Sequence, residues 1–203
     1  VLKPGPLSLL QDGGRQGWQH LGVSPAGPLD RQAAAWANRL LGNAWGTPLL
    51  EVALGDVELE SELDTWLALT GAEVAARLDG EPLAPWSRFA VRAGQRLKLD
   101  YARSGQRVYL AVAGGFQAVP VLGSVSAQQR EGLGGLHGTG EPLRAGDRLA
   151  CRPTGLAGGL SVPWRYWPDY RAIPLLRVIT GGDASDFGEK QLQGFFAQTW
   201  QLS

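Results

Sequence analysis

The chain has 203 residues, of which 44% are hydrophobic and 19% are charged. This length allows a buried core in one large or two small domains without help from disulfides or metals. Its 19 basic and 19 acidic side chains cancel, so no basic field favours nucleic acid or an anionic membrane as a partner. Cys151 is the single cysteine, which excludes an internal disulfide and a zinc site built from cysteines.

The sequence carries no recognisable membrane or secretion segment. Its apolar runs are shorter than the roughly 20 residues that a transmembrane helix needs. The opening stretch VLKPGPLSLL lacks a basic segment followed by a long apolar one. Together with the single cysteine, these features predict a soluble, cytoplasmic protein.

The first predicted elements are a strand, a glycine-rich turn and a long helix. The apolar run Leu7–Leu10 predicts the strand, and Asp12–Gly17 predicts the turn. Gly27 as N-cap, Pro28 at the first helical position and Asp30 in the first turn predict the start of the helix. Apolar residues then recur with helical spacing on one face: Ala33, Trp36, Ala37, Leu40 and Leu41.

Strand patterns dominate after Leu49. Alternating or continuous apolar runs predict strands at Val57–Glu60, Trp66–Thr70, Val74–Leu78, Phe89–Val91, Arg96–Leu99, Val108–Ala113 and Asp147–Cys151. The dipeptide Asp79-Gly80 is a strong hairpin signal. Many short strands with little helix favour a mainly β fold that is closed or nearly closed into a barrel.

The C-terminal part departs from this pattern. Gly123–Gly140 carries six glycines and no apolar period, which predicts a long mobile loop. Pro163–Tyr170 is rich in aromatic residues and predicts a linker whose rings pack on the barrel. A predicted strand, helix and apolar-flanked segment follow at Leu175–Thr180, Asp186–Gln198 and Thr199–Ser203. Because one strand and one helix cannot bury a core, we predict a barrel domain at 1–162, a linker at 163–171 and the beginning of an incomplete second domain at 172–203.

The candidate site lies between Asp12 and Glu51, where polar side chains stand among seven glycines. Asp12 and Arg15 could hold an anionic or amide substrate, because carboxylate and guanidinium groups form planar paired hydrogen bonds. Alternatively, Asp12 accepts backbone N–H bonds in a turn and pairs with Arg15. His20 is a possible general acid or base, or a hydrogen-bonded bystander on a loop.

Two further polar residues stand among apolar neighbours. Asn38 lies in mid-helix, where its propensity is poor, so it either ties the helix to a glycine loop or faces a pocket. Glu51 either belongs to the site or points to solvent on an alternating strand. No side chain forms a recognisable pair of nucleophile and base, so the catalytic residues stay unassigned, and no metal site is predicted.

Glycine pairs offer backbone N–H groups instead of side chains. Gly114-Gly115 and Gly134-Gly135 could cradle a phosphate or an oxyanion, although neither matches a phosphate-loop pattern. None of the lysines, at positions 3, 98 and 190, lies in the Met-flanked context of biotin attachment. If biotin is used, another chain or domain supplies it.

As a set, the motifs resemble the carboxyltransferase or allophanate hydrolase subunit 2 family, which includes the C component of 5-oxoprolinase (the KipI antagonist) and the carboxyltransferase domain of urea carboxylase. The matching motifs, in the family's order, are QDGGRQGWQHLGVSPAGPLDR, ANRLLGN, LE, LTGA, YLAVAGG, VLGS and LRAGD. The resemblance places recurrent polar positions of the family on Asp12, Arg15, Gly22, Asp30, Asn38, Asn43 and Glu51. Its loop-backbone candidates are Gly22, Gly71, Gly114 and Gly115. The chain departs from the family's usual residues at Ala26, Pro28, Leu29 and Val125–Gln128.

The resemblance implies a cyclophilin-like β-barrel, usually followed by a second half of similar length, that works within a complex. In the 5-oxoprolinase branch it implies ATP-dependent opening of 5-oxoproline to glutamate, with the KipI-like B component and the catalytic A component of 5-oxoprolinase as partners and ATP with Mg²⁺ as cofactor of the complex. In the urea carboxylase branch it implies carboxyl transfer from carboxybiotin to urea. A third possibility is a non-catalytic antagonist of a kinase inhibitor. The absence of a biotin site within these residues makes the 5-oxoprolinase branch the first hypothesis.

Overall fold

The structure is a computed structural model that describes residues 1–173 and 175–200. The chain divides into two compact units, Val1–Arg171 and Ala172–Ser203. The strands of the first unit are β1 (Leu7–Gln11), β2 (Leu49–Ala53), β3 (Gly55–Glu60), β4 (Thr65–Glu73), β5 (Ala76–Leu78), β6 (Glu81–Pro82), β7 (Ser87–Val91), β8 (Arg96–Tyr101), β9 (Ser104–Val112) and β10 (Leu160–Ser161). The helices are α1 (Arg31–Leu40) in the first unit and α2 (Glu189–Ala197) in the second.

The strands form two antiparallel sheets. One has six strands in the order β1-β2-β9-β4-β7-β10, and the other has four in the order β3-β8-β5-β6. The predicted mainly β fold with one main helix is confirmed. Within the described residues, the two sheets enclose a shared core and are not joined into one continuous hydrogen-bonded ring.

Alternation along β9 explains how the layers are built. Val108, Leu110 and Val112 pack in the core between the sheets. Tyr109 and Ala111 point to the opposite face and pack with α1, because successive side chains of a strand alternate between faces. The helix therefore covers the outer face of the six-stranded sheet, and every second residue of the strands beneath it faces the helix.

The start of α1 differs from the prediction. Asp30, and not Gly27, is the N-cap, since its Oδ1 accepts a hydrogen bond of 2.9 Å from the N–H of Ala33. Helical geometry accordingly begins at Arg31 and not at Pro28. A carboxylate satisfies one of the free N–H groups of the first turn, which glycine cannot do.

Two predicted strands are wrong within the described residues. In the stretch Asp147–Cys151, Ala150 forms an isolated bridge with Gln117 but no strand follows. Leu175–Thr180 has no strand partner, and Ile179 remains 97% exposed. A strand gains its stability from pairing, so an apolar run without a neighbour stays irregular.

The predicted helix Asp186–Gln198 is confirmed in a shorter form. A 3-10 turn at Gly182–Asp186 precedes α2, which ends at Ala197. The last part of the predicted segment Thr199–Ser203, residues 201–203, lies outside the described residues. None of the described helices is both long and apolar enough to cross a bilayer.

The glycine-rich stretch Gly123–Gly140 is mostly irregular, as predicted, with a 3-10 turn at Gln129–Glu131, and hydrogen bonds anchor part of it. Its residues Ser124–Ala127 are buried. The N–H of Ala127 donates to the carbonyl of Leu10 at 2.9 Å, and the N–H of Gly135 donates to the carbonyl of Val125 at 2.8 Å. These bonds fix the stretch beside β1.

The aromatic stretch at 163–171 packs within the first unit. The Trp167 ring stacks on Trp86 with ring centres 6.0 Å apart, and its Nε1 donates to the carbonyl of Val162 at 2.8 Å. Trp164, by contrast, is 81% exposed. The predicted packing of aromatic side chains thus holds for Trp167 but not for Trp164.

Candidate functional site

The predicted residue Asp12 forms a serine–aspartate cluster with Ser124 and Ser126, which is the first of three hydrogen-bonded groups. Asp12 Oδ1 accepts hydrogen bonds from the hydroxyls of Ser124 (2.5 Å) and Ser126 (2.7 Å) and from the N–H of Gly14 (2.8 Å). Asp12 Oδ2 accepts from the N–H of Val125 at 2.8 Å. The carboxylate therefore fixes the glycine-rich stretch against the end of β1, and the predicted ion pair with Arg15 does not form.

Arg15 lies beside this cluster and is 1% exposed. Its Nη2 donates to the carbonyl of Ser126 at 2.5 Å, and its Nε donates to the carbonyl of Val121 at 3.5 Å. Its Nη1 has no hydrogen-bond partner among the described residues. Of the predicted site residues, Arg15 alone keeps a buried polar atom unpaired within the part of the chain that the structure describes.

The second group forms a helix-start network, consisting of Glu51, Tyr109, Asp30 and Tyr170. Glu51 is 8% exposed, so the prediction that it points to solvent is wrong. Its Oε2 accepts hydrogen bonds of 2.8 Å from the N–H of Leu29 and from the hydroxyl of Tyr109. The Tyr109 hydroxyl also accepts a bond of 2.6 Å from the N–H of Asp30.

Two tyrosine hydroxyls act as donors in this network. The Tyr170 hydroxyl donates to Asp30 Oδ2 at 2.6 Å. Burial, and then the nearby Glu51 carboxylate, raise the pKa of Tyr109 far above its usual range. Burial and the hydrogen bond to Asp30 do the same for the pKa of Tyr170. Both phenols stay protonated at neutral pH, so they orient carboxylates and do not release protons.

The third group forms an asparagine clamp, consisting of Asn38, Asn43 and Gly114. Asn38 Nδ2 donates to the carbonyl of Thr47 at 2.9 Å, and its Oδ1 accepts from Asn43 Nδ2 at 3.0 Å. The same Nδ2 donates to the carbonyl of Val112, and Asn43 Oδ1 accepts from the N–H of Gly114, both at 2.9 Å. The clamp ties the end of α1 to the turn after β9, which confirms the prediction of a structural tie for Asn38.

The remaining predicted residues join none of these groups. His20 is exposed on the 3-10 turn Gln19–Leu21, and no described residue forms a hydrogen bond with its imidazole. Gly22 ends that turn and donates its N–H to the carbonyl of Gln19 at 2.9 Å. Gly71 is buried within β4 opposite Val108.

The glycine pairs offer a poor fit for a phosphate or an oxyanion. The N–H of Gly114 is bound to Asn43 Oδ1, and the N–H of Gly115 is bound to the carbonyl of Val112 at 2.9 Å. The N–H of Gly135 is likewise bound, to Val125. A phosphate would have to displace these bonds. Within the described ranges, no group of three or more His, Cys, Asp or Glu side chains is placed to hold a metal ion.

Side chains also hold the backbone of the segment Ser24–Asp30, which leads into α1. Its N–H groups are bound in turn by Glu131, Gln11, Glu51 and Tyr109. Gln11 links this segment to the glycine-rich stretch, because its Nε2 donates to the carbonyl of Ala127 at 3.1 Å while its Oε1 accepts from the N–H of Gly27 at 3.2 Å. The asparagine clamp shares no hydrogen bond with the first two groups among the described residues. The predicted residues Asp12, Asp30, Asn38, Asn43 and Glu51 are thus divided among three hydrogen-bonded groups, which position α1 and the glycine-rich stretch.

Several residues of these groups were not predicted from the sequence: Gln11, Ser24, Tyr109, Ser124, Ser126, Glu131 and Tyr170. Tyr109 and Ser124 lie in the family-like motifs YLAVAGG and VLGS, and this is the signal that could have drawn attention to them. Their partners become evident only when the strand register is known, because Tyr109 lies directly opposite Glu51.

Comparisons with known proteins identify relatives of this chain. It matches the family model described as carboxyltransferase domain, subdomain A and B, over residues 21–203. It is 38% identical over 203 residues to the C component of 5-oxoprolinase from Escherichia coli. This alignment covers 100% of this chain and 64% of that protein. It is also 38% identical over 174 residues to a putative urea carboxylase of Emericella nidulans. That alignment covers 84% of this chain and 14% of that protein.

One solved structure has a fold similar to that of this chain. The crystal structure of K. lactis urea amidolyase superposes with a TM-score of 0.83 at 28% identity, covering 100% of this chain and 13% of that chain. The chain therefore spans less than two thirds of the length of each of these relatives. Since the family model covers most of its residues, the chain belongs to the carboxyltransferase domain family, subdomains A and B.

Proposed function

We propose that this chain is the C component of a cytoplasmic, ATP-dependent 5-oxoprolinase complex, which opens 5-oxoproline to glutamate with hydrolysis of ATP. The observation that carries the proposal is the 38% identity to the C component of the Escherichia coli 5-oxoprolinase along all 203 residues. The match to the putative urea carboxylase has the same identity but extends over 84% of the chain. The partners would be the KipI-like B component and the A component of 5-oxoprolinase.

The three hydrogen-bonded groups hold α1 and the glycine-rich stretch in place. They support a role for this chain in positioning the substrate within the complex, and not in the chemical step. Their carboxylates and amides already bind backbone groups, and the N–H groups of Gly114, Gly115 and Gly135 are bound as well. ATP with Mg²⁺ is therefore assigned to another component of the complex. Arg15 is the candidate contact for the substrate, because its Nη1 lacks a partner among the described residues and a guanidinium binds a carboxylate or an amide oxygen in a planar arrangement.

The test is reconstitution. The chain is mixed with homologues of the A and B components of 5-oxoprolinase, assembly is checked by gel filtration, and glutamate released from 5-oxoproline and ATP is measured. We expect release from the three-component mixture and none when this chain is omitted. An assembled mixture that releases no glutamate overturns the proposal, and it would instead favour a non-catalytic antagonist of a kinase inhibitor.

A carboxyltransferase is the second candidate. It is favoured by the superposition of the whole chain on K. lactis urea amidolyase. Biotin would then be supplied by another chain or domain, and Arg15 would stabilise the charge that develops during transfer. Carboxyl transfer from free carboxybiotin to urea, lost on Arg15→Ala while Arg165→Ala retains it, would support this candidate. Absence of turnover with urea and other amide acceptors would remove it.

A further inference from the structure

The two sheets enclose a cavity that is separate from the three hydrogen-bonded groups. Its volume is about 270 Å³, and it lies where β3 ends and β4 begins. Most of its wall is apolar and comes from both sheets, including Leu59, Leu67, Leu97, Leu110 and Val112, and from Leu63 in the connection between β3 and β4. The segment 147–151, which ends in Cys151, also lines it. None of the residues predicted to form the site belongs to this lining.

One buried polar group in the lining forms no hydrogen bond that would stabilise the fold. Thr65 is 4% exposed, and its Oγ1 has no hydrogen-bond partner in the described part of the chain. Alternation along β4 places Thr65 on the same face as Leu67 and Leu69, which is the face of the core. A buried hydroxyl without a partner is costly, whereas valine would fill the same space without that cost. The hydroxyl is therefore explained best by a partner that is not part of this chain.

Apart from the Cys151 thiol, the other polar side chains of the lining already have partners, and Gln95 binds Asp79 at 2.9 Å. The Ser61 hydroxyl donates to the carbonyl of Leu63 at 2.7 Å. Glu60 binds Arg96 at 2.9 Å. Glu62 and Arg148 form an ion pair of 3.1 Å, and Asp147 binds His137 at 3.1 Å. A charged ligand would have to break one of these pairs, so the chemistry of the lining favours a neutral ligand.

We propose that this cavity binds a small uncharged molecule with an apolar body the size of one ring and a single hydroxyl or amide group, which exchanges a hydrogen bond with Thr65 Oγ1. The volume lies just below the roughly 300 Å³ at which pockets for drug-sized ligands begin, so the ligand is smaller than that class. This binding site goes beyond the proposed function and does not depend on it.

The test compares two probes of nearly equal shape, benzyl alcohol and ethylbenzene, which differ in one hydroxyl. Their dissociation constants are measured by NMR titration for the full chain and for Thr65→Val. We expect the preference for benzyl alcohol over ethylbenzene to fall about fivefold in Thr65→Val, since that factor corresponds to one net hydrogen bond. Thr65→Ser, which keeps the hydroxyl, should retain the preference and serves as the matched variant if valine impairs folding.

Cys151 supplies a second measurement, because it lines the cavity and is the single cysteine of the chain. Saturating benzyl alcohol should slow its alkylation by iodoacetamide in the folded chain and leave the rate unchanged in urea. Failure of both probes to bind would mean that the cavity holds only water or another segment, and would overturn the proposal. An unchanged preference in Thr65→Val, with Thr65→Ser behaving alike, would overturn it as well.

Discussion

Tyr109 and Glu51 lie directly opposite each other on β9 and β2, and the Tyr109 hydroxyl donates a hydrogen bond of 2.8 Å to Glu51 Oε2. The same hydroxyl accepts a bond of 2.6 Å from the N–H of Asp30, the N-cap of α1. One phenol oxygen therefore joins two strands of the six-stranded sheet to the start of the helix. The Tyr109 hydroxyl and Glu51 are buried, and Asp30 is half-buried, so water has little access to replace the hydroxyl.

Tyr109→Phe removes this oxygen and leaves the N–H of Asp30 and one carboxylate oxygen of Glu51 short of a partner. We expect the free energy of unfolding to fall by roughly 1–3 kcal/mol, the cost of buried groups left unsatisfied. Urea unfolding followed by circular dichroism measures it. Tyr166→Phe is the control, because Tyr166 is 46% exposed. An equal loss in the two variants would contradict the role given to the Tyr109 hydroxyl.

Glu51→Gln separates a positioning role of Glu51 from a catalytic one. Glutamine keeps an oxygen that can accept from Leu29 and Tyr109, but it loses the charge that faces Arg107 Nε at 3.6 Å. We expect a loss of about 1 kcal/mol in the free energy of unfolding and little change in glutamate release per assembled complex. The measurements are urea unfolding and the reconstitution assay.

A different result is expected if Glu51 transfers protons in the reaction. Removing a general acid or base lowers turnover by a factor of about 10² or more. A drop of that size in correctly assembled complexes, with stability little changed, would therefore assign Glu51 to catalysis. Glu58→Gln, at a half-buried position of β3 in the four-stranded sheet and away from the network, is the control for the charge change alone.

Local signals in the sequence predicted much of the fold. The Asp79-Gly80 dipeptide predicted the hairpin between β5 and β6, and both residues adopt the positive φ that such a turn requires. The asparagine clamp was also within reach, because Asn38 and Asn43 lie five residues apart and bind each other. In these cases the residues that decide the structure are close together in the chain.

Long-range partners could not be predicted in this way. Asp12 binds a serine 112 residues further along the chain, so its role depends on how the glycine-rich stretch returns to β1. The exposure of Glu51 depends on whether α1 covers its side of the sheet. The pattern of apolar residues in β2 does not show whether a helix covers that side. Asp147–Cys151 has a strand-like pattern but forms only the isolated bridge between Ala150 and Gln117 within the described residues, and pattern alone cannot reveal that.

The contact between Ser24 and Glu131 predicts that the free energy of unfolding depends on pH. The N–H of Ser24 donates to both carboxylate oxygens of Glu131 at 3.1 Å, and its hydroxyl donates to Oε1. The hydroxyl bond is the largest of the effects that hold the pKa of Glu131 below its ordinary value of 4.5, with smaller contributions from the charges of Arg130 and Arg15. A lowered pKa stabilises the fold at pH values above 4.5, and this stabilisation is lost as the pH falls through the lower, folded-state value.

Ser24→Ala should therefore be less stable than the parent chain at pH 7, and the difference should shrink as the pH falls below about 4.5. Urea unfolding midpoints between pH 7 and pH 3 measure the trend. Ser161→Ala, on the exposed strand β10, should show no such trend. A difference between Ser24→Ala and the parent that stays constant with pH would show that the hydroxyl does not act through the Glu131 carboxylate.

Gly134 makes room for the contact between Arg15 and Ser126. A Cβ at this position would lie 2.1 Å from the Ser126 carbonyl oxygen, the acceptor of Arg15, and 2.8 Å from Arg15 Nη2. Gly123 has a similar positive φ, +81° against +70°, but a Cβ there would meet nothing within 4 Å. Alanine at Gly123 thus introduces backbone strain alone, and alanine at Gly134 introduces the same strain together with an overlap.

We expect Gly123→Ala to lower the free energy of unfolding by about 1 kcal/mol, the cost of a left-handed conformation for a residue with a Cβ. Gly134→Ala should lower it by roughly 3 kcal/mol or more, because the overlap pushes the Ser126 carbonyl away from the buried guanidinium and leaves both short of a partner. Urea unfolding measures both variants. Equal losses would mean that the glycine-rich stretch can shift without cost, and that the position of Arg15 is not fixed by the Ser126 carbonyl.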